Sequence, residues 1–259
     1  MLVGVSRSSV RYELLPESEA NRALKERIKE LANKYKRYGY RRITALLRQT
    51  GVLVNRKRVH RLWKLEKLQV PVRRRKRRRK EQVCEVANRA EYRNHVWSWD
   101  FVEDSTETGK KIRILTIVDE YTRECQMIRA EHSFAANDVI ASLQWLFETS
   151  GLPRYIRSDN GSEFIANALK EWLDKKGCGT IYIEPGSPWE NPYIESFNGK
   201  LRDECLNMHV FRDIEEAQEV VERWRIEYNS QRPHSALGYM TPEKFANSAA
   251  ALGQQGQNP

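Results

Sequence analysis

Apolar residues recur at helical spacing in the first quarter of the chain. From Glu19 to Tyr35 they return every three or four positions, and Lys and Arg residues fall outside this stripe. The interval 42–49 repeats the pattern, Gly51 supplies a turn, and Asn55 suits the N-cap of a third helix. The pattern predicts three short helices with a helix-turn-helix outline.

The pattern changes to a period of two at Val96–Glu103, where aromatic residues alternate with Ser98, Asp100 and Val102. This alternation predicts a β-strand. Further strands are predicted at 112–118, 124–130, 154–158 and 180–183, and helices at 135–148 and 162–176. Three strands followed by helix, strand, helix and strand predict an α/β domain with a mixed sheet and helices on its faces.

The charge is distributed unevenly between these two parts. Residues 1–70 hold 18 Lys and Arg against 6 Asp and Glu, whereas the chain from Glu81 onward holds 19 basic and 29 acidic residues. This asymmetry predicts an N-terminal part that binds a polyanion, with nucleic acid as the leading partner. The cationic and amide side chains of the predicted third helix would reach phosphates and base edges; they are Asn55, Arg56, Lys57, Arg58 and Arg61.

A continuous basic run separates the two parts. Such a run is often only a solvated linker, but between two domains it is expected to follow a DNA backbone and to make binding depend steeply on salt. Its members are Arg73, Arg74, Arg75, Lys76, Arg77, Arg78, Arg79 and Lys80.

Three acidic residues have ordinary explanations when each is taken alone. Asp100 would be a surface charge on an edge strand, Asp159 a turn residue in "SDNG", and Glu195 a carboxylate that favours the start of its helix after Asn191-Pro192. Together, a mid-strand Asp, an Asp at a strand end and a helical Glu could meet in one pocket. Their mutual repulsion would then call for divalent cations, and oxygen ligands favour Mg²⁺ or Mn²⁺.

The strings "WSWDF", "SDNGSEF" and "SPWENPYIESFNGKLRDE" follow one another within residues 96–205, with 35 residues between Asp159 and Glu195. This region resembles the DDE catalytic core of retroviral integrases and bacterial insertion-sequence transposases, an RNase H-like fold. The strings "YGYRRITALLRQTGVLVNRKRVHRLW" and "YNSQRPHSALGYMTPEKF" resemble the helix-turn-helix and the ending of transposases encoded by the second reading frame of such elements. The His-His-Cys-Cys zinc site of retroviral integrases has no counterpart here.

This resemblance implies that Asp100, Asp159 and Glu195 hold two Mg²⁺ or Mn²⁺ ions. The ions would support hydrolysis of a phosphodiester at the element's end and then attack of the freed 3′-OH on target DNA. It also implies a homodimer or higher assembly on DNA, assisted by or fused to an upstream-frame protein. Asn198 and Arg202, on the same helical face as Glu195, would contact DNA near the scissile phosphate.

The predicted domains are a helix-turn-helix domain at 1–70, a basic linker at 71–90, the RNase H-like core with C-terminal helices at 91–250 and a tail at 251–259. No apolar run reaches the roughly 18 residues that span a bilayer, so a cytoplasmic, nucleoid-associated protein without a membrane partner is expected. The four cysteines are far apart and are expected to be reduced thiols. Two rival functions stay open: a DNA-binding regulator that does no chemistry, and a nuclease that stops at hydrolysis.

Overall fold

The computed structural model describes residues 18–71, 89–158, 167–183 and 191–255. The chain divides into two compact units, Met1–Val72 and Arg73–Pro259. The basic run from Arg73 to Lys80 and the acidic residue Asp159 lie outside the described residues.

The described part of the first unit folds into three helices, as the apolar periodicity predicted. They are α1 (Glu19–Lys34), α2 (Tyr40–Gln49) and α3 (Arg56–Leu65). Their apolar stripes meet in one core, in which Ile28, Ile43 and Val59 are fully buried. Gly51 follows α2 with a φ of +84°, a left-handed conformation that glycine adopts without strain. The turn and the predicted helix starts are thereby confirmed to within two residues.

Among its described residues, the second unit is built on a five-stranded mixed sheet with the strand order β3-β2-β1-β4-β5. The strands are β1 (Val96–Ser105), β2 (Lys111–Asp119), β3 (Cys125–Glu131), β4 (Tyr155–Ser158) and β5 (Gly179–Tyr182). β1 pairs antiparallel with β2 and parallel with β4, with Asp100 opposite Thr116 and Ser98 opposite Arg157. The α/β class with a mixed sheet is confirmed. The edge-strand explanation of Asp100 is wrong, because β1 is the central strand.

Helices cover both faces of this sheet. They are α4 (Ala136–Ser150), α5 (Asn167–Lys175), α6 (Pro192–Glu204), α7 (Ile214–Ser230) and α8 (Pro242–Gln255). The alternation in β1 explains the two layers: Trp97 and Trp99 pack with α4 and α5, whereas Val102 packs with α6 and α7. Ser98 and Asp100 have the same parity as Val102, so they lie on the face that α6 covers.

A buried ion pair holds the segment that follows α7 against α6. The guanidinium of Arg232 donates to both carboxylate oxygens of Glu204, at 2.7 and 2.6 Å. Both side chains are almost fully buried, so the pair fixes the chain after α7 against the end of α6. Within the described residues, every helix is too short or too polar to cross a lipid bilayer.

Candidate active site

Asp100 has a carboxylate that is held from two sides. The side chain is half-buried on β1; its Oδ1 accepts from the backbone N–H of Phe101 at 2.7 Å, and its Oδ2 accepts from Nδ2 of Asn198 at 2.8 Å. The hydroxyl of Thr116 on β2 lies 3.0 Å from both the Asp100 backbone carbonyl oxygen and Oδ1 of Asn198. Asn198 therefore ties α6 to the central strand through Asp100 itself.

Glu195 lies in the first turn of α6 and is exposed. Pro192 takes the first helical position, as predicted, while Ile194 and Phe197 anchor the helix in the core. Asn198 follows Glu195 by three residues, a spacing that places two side chains about 5–6 Å apart at Cβ on one helical face. The bond between Asn198 and Asp100 thus brings Glu195 to the same region of the sheet as Asp100. The hydrophobic neighbours of Glu195 in the sequence are the residues that fix this helix.

Asp159, the third predicted acid, lies outside the described residues, so its place beside the other two stays a prediction. The chain leaves β4 at Ser158, the residue before Asp159, and β4 runs parallel beside β1. The described residues, which omit Asp159, contain no group of three His, Cys, Asp or Glu side chains that could hold a metal ion. Asp100 and Glu195 are nevertheless hard oxygen donors of the kind that Mg²⁺ and Mn²⁺ select.

A buried charge pair, which no pattern in the sequence indicated, lies on the same face of the sheet as Asp100. Arg157 on β4 donates through Nε to Oε1 of Glu120 at 2.7 Å, and the hydroxyl of Ser98 donates to the same oxygen. All three side chains are buried. Burial raises the pKa of Glu120, and the guanidinium of Arg157 acts in the opposite direction. The pair joins the turn after β2 to the strand that leads to Asp159.

Asp119, the last residue of β2, is a further buried acid of this unit. Its carboxylate accepts from the backbone N–H groups of Asn94, Tyr121 and Thr122 at 2.7–2.9 Å and so shapes the turn after β2. Burial raises the pKa of Asp119, while these backbone donors act against that shift.

The predicted DNA contacts on α6 have partners within the protein. Asn198 binds Asp100, and Nη2 of the exposed Arg202 donates to the backbone oxygen of Glu103 at 2.8 Å. Contacts of Asn198 and Arg202 with DNA therefore stay predictions.

In the first unit, α3 presents a cationic surface. Asn55 caps this helix by accepting from the N–H of Lys57 at 2.8 Å, as predicted. Arg58 donates to Oδ1 of Asn21 at 2.5 and 3.2 Å, so its guanidinium is held beside α1. All five predicted contact residues are exposed; they are Asn55, Arg56, Lys57, Arg58 and Arg61.

Comparisons with known proteins give family matches in each of the two units. Two family models described as integrase core domain match residues 90–188 and 176–242, and a model described as HTH-like domain matches residues 19–76. The chain is 42% identical over 247 residues to an uncharacterized 31.7 kDa protein of insertion element IS407 from Burkholderia multivorans, which covers 95% of this chain and 88% of that relative. It is 27% identical over 237 residues to the transposase of insertion sequence element IS904 from Lactococcus lactis, with 86% and 92% of the two chains covered.

Among solved structures, the intasome of simian T-cell lymphotropic virus in complex with PP2A regulatory subunit B56 gamma provides a chain of similar fold. The match has a TM-score of 0.56 and covers 85% of this chain and 74% of that chain. At 13% identity, this likeness concerns the fold alone.

Proposed function

The chain belongs to the insertion-sequence transposases with an integrase core domain, and from that premise we propose the residues and steps of its reaction. Members of this family are DDE-type polynucleotidyl transferases that act in DNA transposition. We assign the three acids of the motif to Asp100, Asp159 and Glu195. The observation that carries the assignment is the bond from Asn198 on α6 to Asp100 on β1, which joins the elements that bear two of these acids.

The three carboxylates would hold two Mg²⁺ or Mn²⁺ ions. When bound, such ions make the attacking oxygen a better nucleophile and stabilise the charge on the leaving 3′ oxygen. The protein's own contribution is to hold the carboxylates still. Asn198, Thr116 and the Phe101 N–H restrict Asp100, and the packed core side of α6 restricts Glu195.

Two phosphodiester reactions would take place at this site. In the first, water hydrolyses the backbone at the element's end and leaves a free 3′-OH. In the second, that hydroxyl attacks a phosphodiester of the target in line, so that one P–O bond forms as another breaks. Both steps transfer the phosphoryl group directly, without a covalent enzyme intermediate.

DNA recognition would fall to the cationic surface of α3 and to the basic run from Arg73 to Lys80. Neutralising the run from Arg73 to Lys80 should weaken binding to every DNA sequence and flatten its salt dependence, since each phosphate contact contributes about 0.9 to the slope of log K against log salt. Because an element has two ends to cut, we further propose a homodimer or larger assembly on DNA. The upstream-frame protein would supply additional DNA-binding and dimerising segments.

A strand-transfer assay tests the reaction. The purified chain is mixed with duplexes that end in the terminal repeat of its element, with unrelated target DNA and with Mg²⁺ or Mn²⁺. We expect joined products from the wild type, no cleavage and no joining from Asp100→Asn or Asp159→Asn, and nearly unchanged affinity for terminal DNA. Asp104→Asn is the matched control, because Asp104 lies on the same strand and the same face as Asp100.

The same assay separates the rival functions. Binding without cleavage would identify a regulator, and cleavage without joining would identify a nuclease. Joining that survives Asp159→Asn would contradict the assignment of the acids. Repeating the assay with and without the upstream-frame protein tests whether that partner is required.

A further inference from the structure

A pocket of about 250 Å³ lies beside α6, away from the flank that binds Asp100. Tyr193, Ser196 and Lys200 line one of its walls, and they follow each other at spacings of three and four residues on one helical face. Arg123, in the turn after β2, and His234, in the segment after α7, also line the pocket. Glu195 and Asn198 lie on a different face of the same helix.

The polar groups of this pocket are cationic or neutral. The guanidinium carbon of Arg123 lies 3.9 Å from the centre of the Tyr193 ring, and Nζ of Lys200 donates to Oγ of Ser196 at 2.7 Å. Nη1 of Arg123 is buried and has no hydrogen-bond partner among the described residues. No carboxylate appears among the described lining residues. The pocket is therefore suited to an anion that can accept hydrogen bonds from Arg123 and Lys200.

Glu120 does not line the pocket but attracts Arg123. Glu120 interacts electrostatically with Arg123, but its carboxylate already accepts from Arg157 and from Ser98. Arg157 thus offsets the negative charge of Glu120, and the pocket remains positively charged.

We propose that this pocket binds one phosphodiester of a DNA strand, with the phosphate between Arg123 and Lys200 and the deoxyribose against Pro192 and Tyr193. The proposal rests on the proposed function, because it needs DNA to cross α6 at Glu195. Lys200 lies five residues after Glu195, or about 7.5 Å along the helix axis at 1.5 Å per residue. The pocket also lies on the other flank of α6, which is about 10 Å across, so the two phosphates would be about 12 Å apart. One DNA strand carries a phosphate about every 3.4 Å of its axis, so the bound phosphate would be about four nucleotides from the reacting one.

Two charge-neutralising variants of the full chain test this site. Lys200→Gln and Arg123→Gln are each expected to lower the association constant for DNA by about three- to tenfold at 0.1 M salt and to reduce the salt slope by about 1. Lys170→Gln is the matched control, because Lys170 is an exposed cation on α5, which covers the opposite face of the sheet. This control should bind as the wild type does. Circular dichroism and thermal unfolding check that each variant is folded.

Single methylphosphonate substitutions identify the contacted phosphate and its source. Each neutral linkage is placed in turn along the terminal-repeat duplex and along the target duplex. At the contacted position the substitution should weaken binding by the wild type but not by Lys200→Gln. A position in the terminal duplex assigns the pocket to the element's end, and one in the target duplex assigns it to the target.

The proposal falls if both variants retain the wild-type affinity and salt slope, or if no linkage in either duplex shows this coupling. If the wild type joins DNA and both variants bind DNA as the wild type does, the phosphate site is refuted and the proposed function stands. A wild type that neither cuts nor joins DNA would refute the proposed function, and that result comes from the strand-transfer assay rather than from binding.

Discussion

The clearest test of the site is the removal of the amide of Asn198. Its Nδ2 donates to Oδ2 of Asp100 at 2.8 Å, and its Oδ1 accepts from the hydroxyl of Thr116 at 3.0 Å. A hydrogen bond to a charged group contributes about 1.5–3 kcal/mol. If the whole of this free energy is lost from the stabilisation of the transition state, Asn198→Ala should slow joining by about 10- to 150-fold.

Asn198→Asp is the harsher change at the same position, although Asp has nearly the same shape as Asn. It replaces the donor by a carboxylate whose centre would lie about 4 Å from that of Asp100, where two unit charges repel by about 4 kcal/mol at an effective dielectric constant of 20. Asp100 is half-buried, so solvent screens the two charges and the repulsion is smaller than this value. The expected order of joining rates is therefore wild type, then Asn198→Ala, then Asn198→Asp.

The assay measures joining at saturating DNA over a range of Mg²⁺ concentrations, together with DNA affinity in the absence of metal. If Asn198 positions Asp100, Asn198→Ala should need more Mg²⁺ for its half-maximal rate and should bind DNA within about twofold of the wild type. Joining within twofold of the wild type at every Mg²⁺ concentration would refute this reasoning. A tenfold loss of DNA affinity with an unchanged rate at saturation would show instead that Asn198 serves as a DNA contact.

Three further predictions concern the stability and reactivity of the fold. Arg232→Ala leaves the carboxylate of Glu204 buried without its partner, so urea denaturation should show a loss of about 3–5 kcal/mol in the free energy of unfolding; a loss below 1 kcal/mol would contradict the buried pair. Gly199→Ala, inside α6 with open space around the added Cβ, should raise that free energy by about 0.5–1 kcal/mol, and a decrease would indicate an unseen clash. Burial raises the pKa of Cys178 and of Cys205 to about 12, so iodoacetamide at pH 8 should leave both unmodified in the native protein and alkylate both in urea, as mass spectrometry would show.

Much of the fold follows from local patterns. The alternation in β1 predicted which side chains share a face, and the structure places Trp97 and Val102 in different cores as that alternation requires. The cap at Asn55 and the helix start at Pro192 were also predictable, because caps depend on residues within one turn of each other.

The contacts that organise the site were beyond such reasoning. Asn198 and Asp100 are separated by 98 positions, and Arg157 and Glu120 by 37, so no local period links either pair. The three backbone donors to the carboxylate of Asp119 were likewise beyond such reasoning, because they are set by the path of the turn rather than by side-chain types.

The buried pair between Glu120 and Arg157 has an evolutionary consequence. Replacing either residue alone by an apolar one leaves an uncompensated charge in the interior, at a cost of about 3–5 kcal/mol. That cost is a large part of the 5–15 kcal/mol by which domains are stable, so most lineages that lose one partner first would be eliminated. Positions 120 and 157 should therefore covary among descendants of this element, with both charges kept or both replaced.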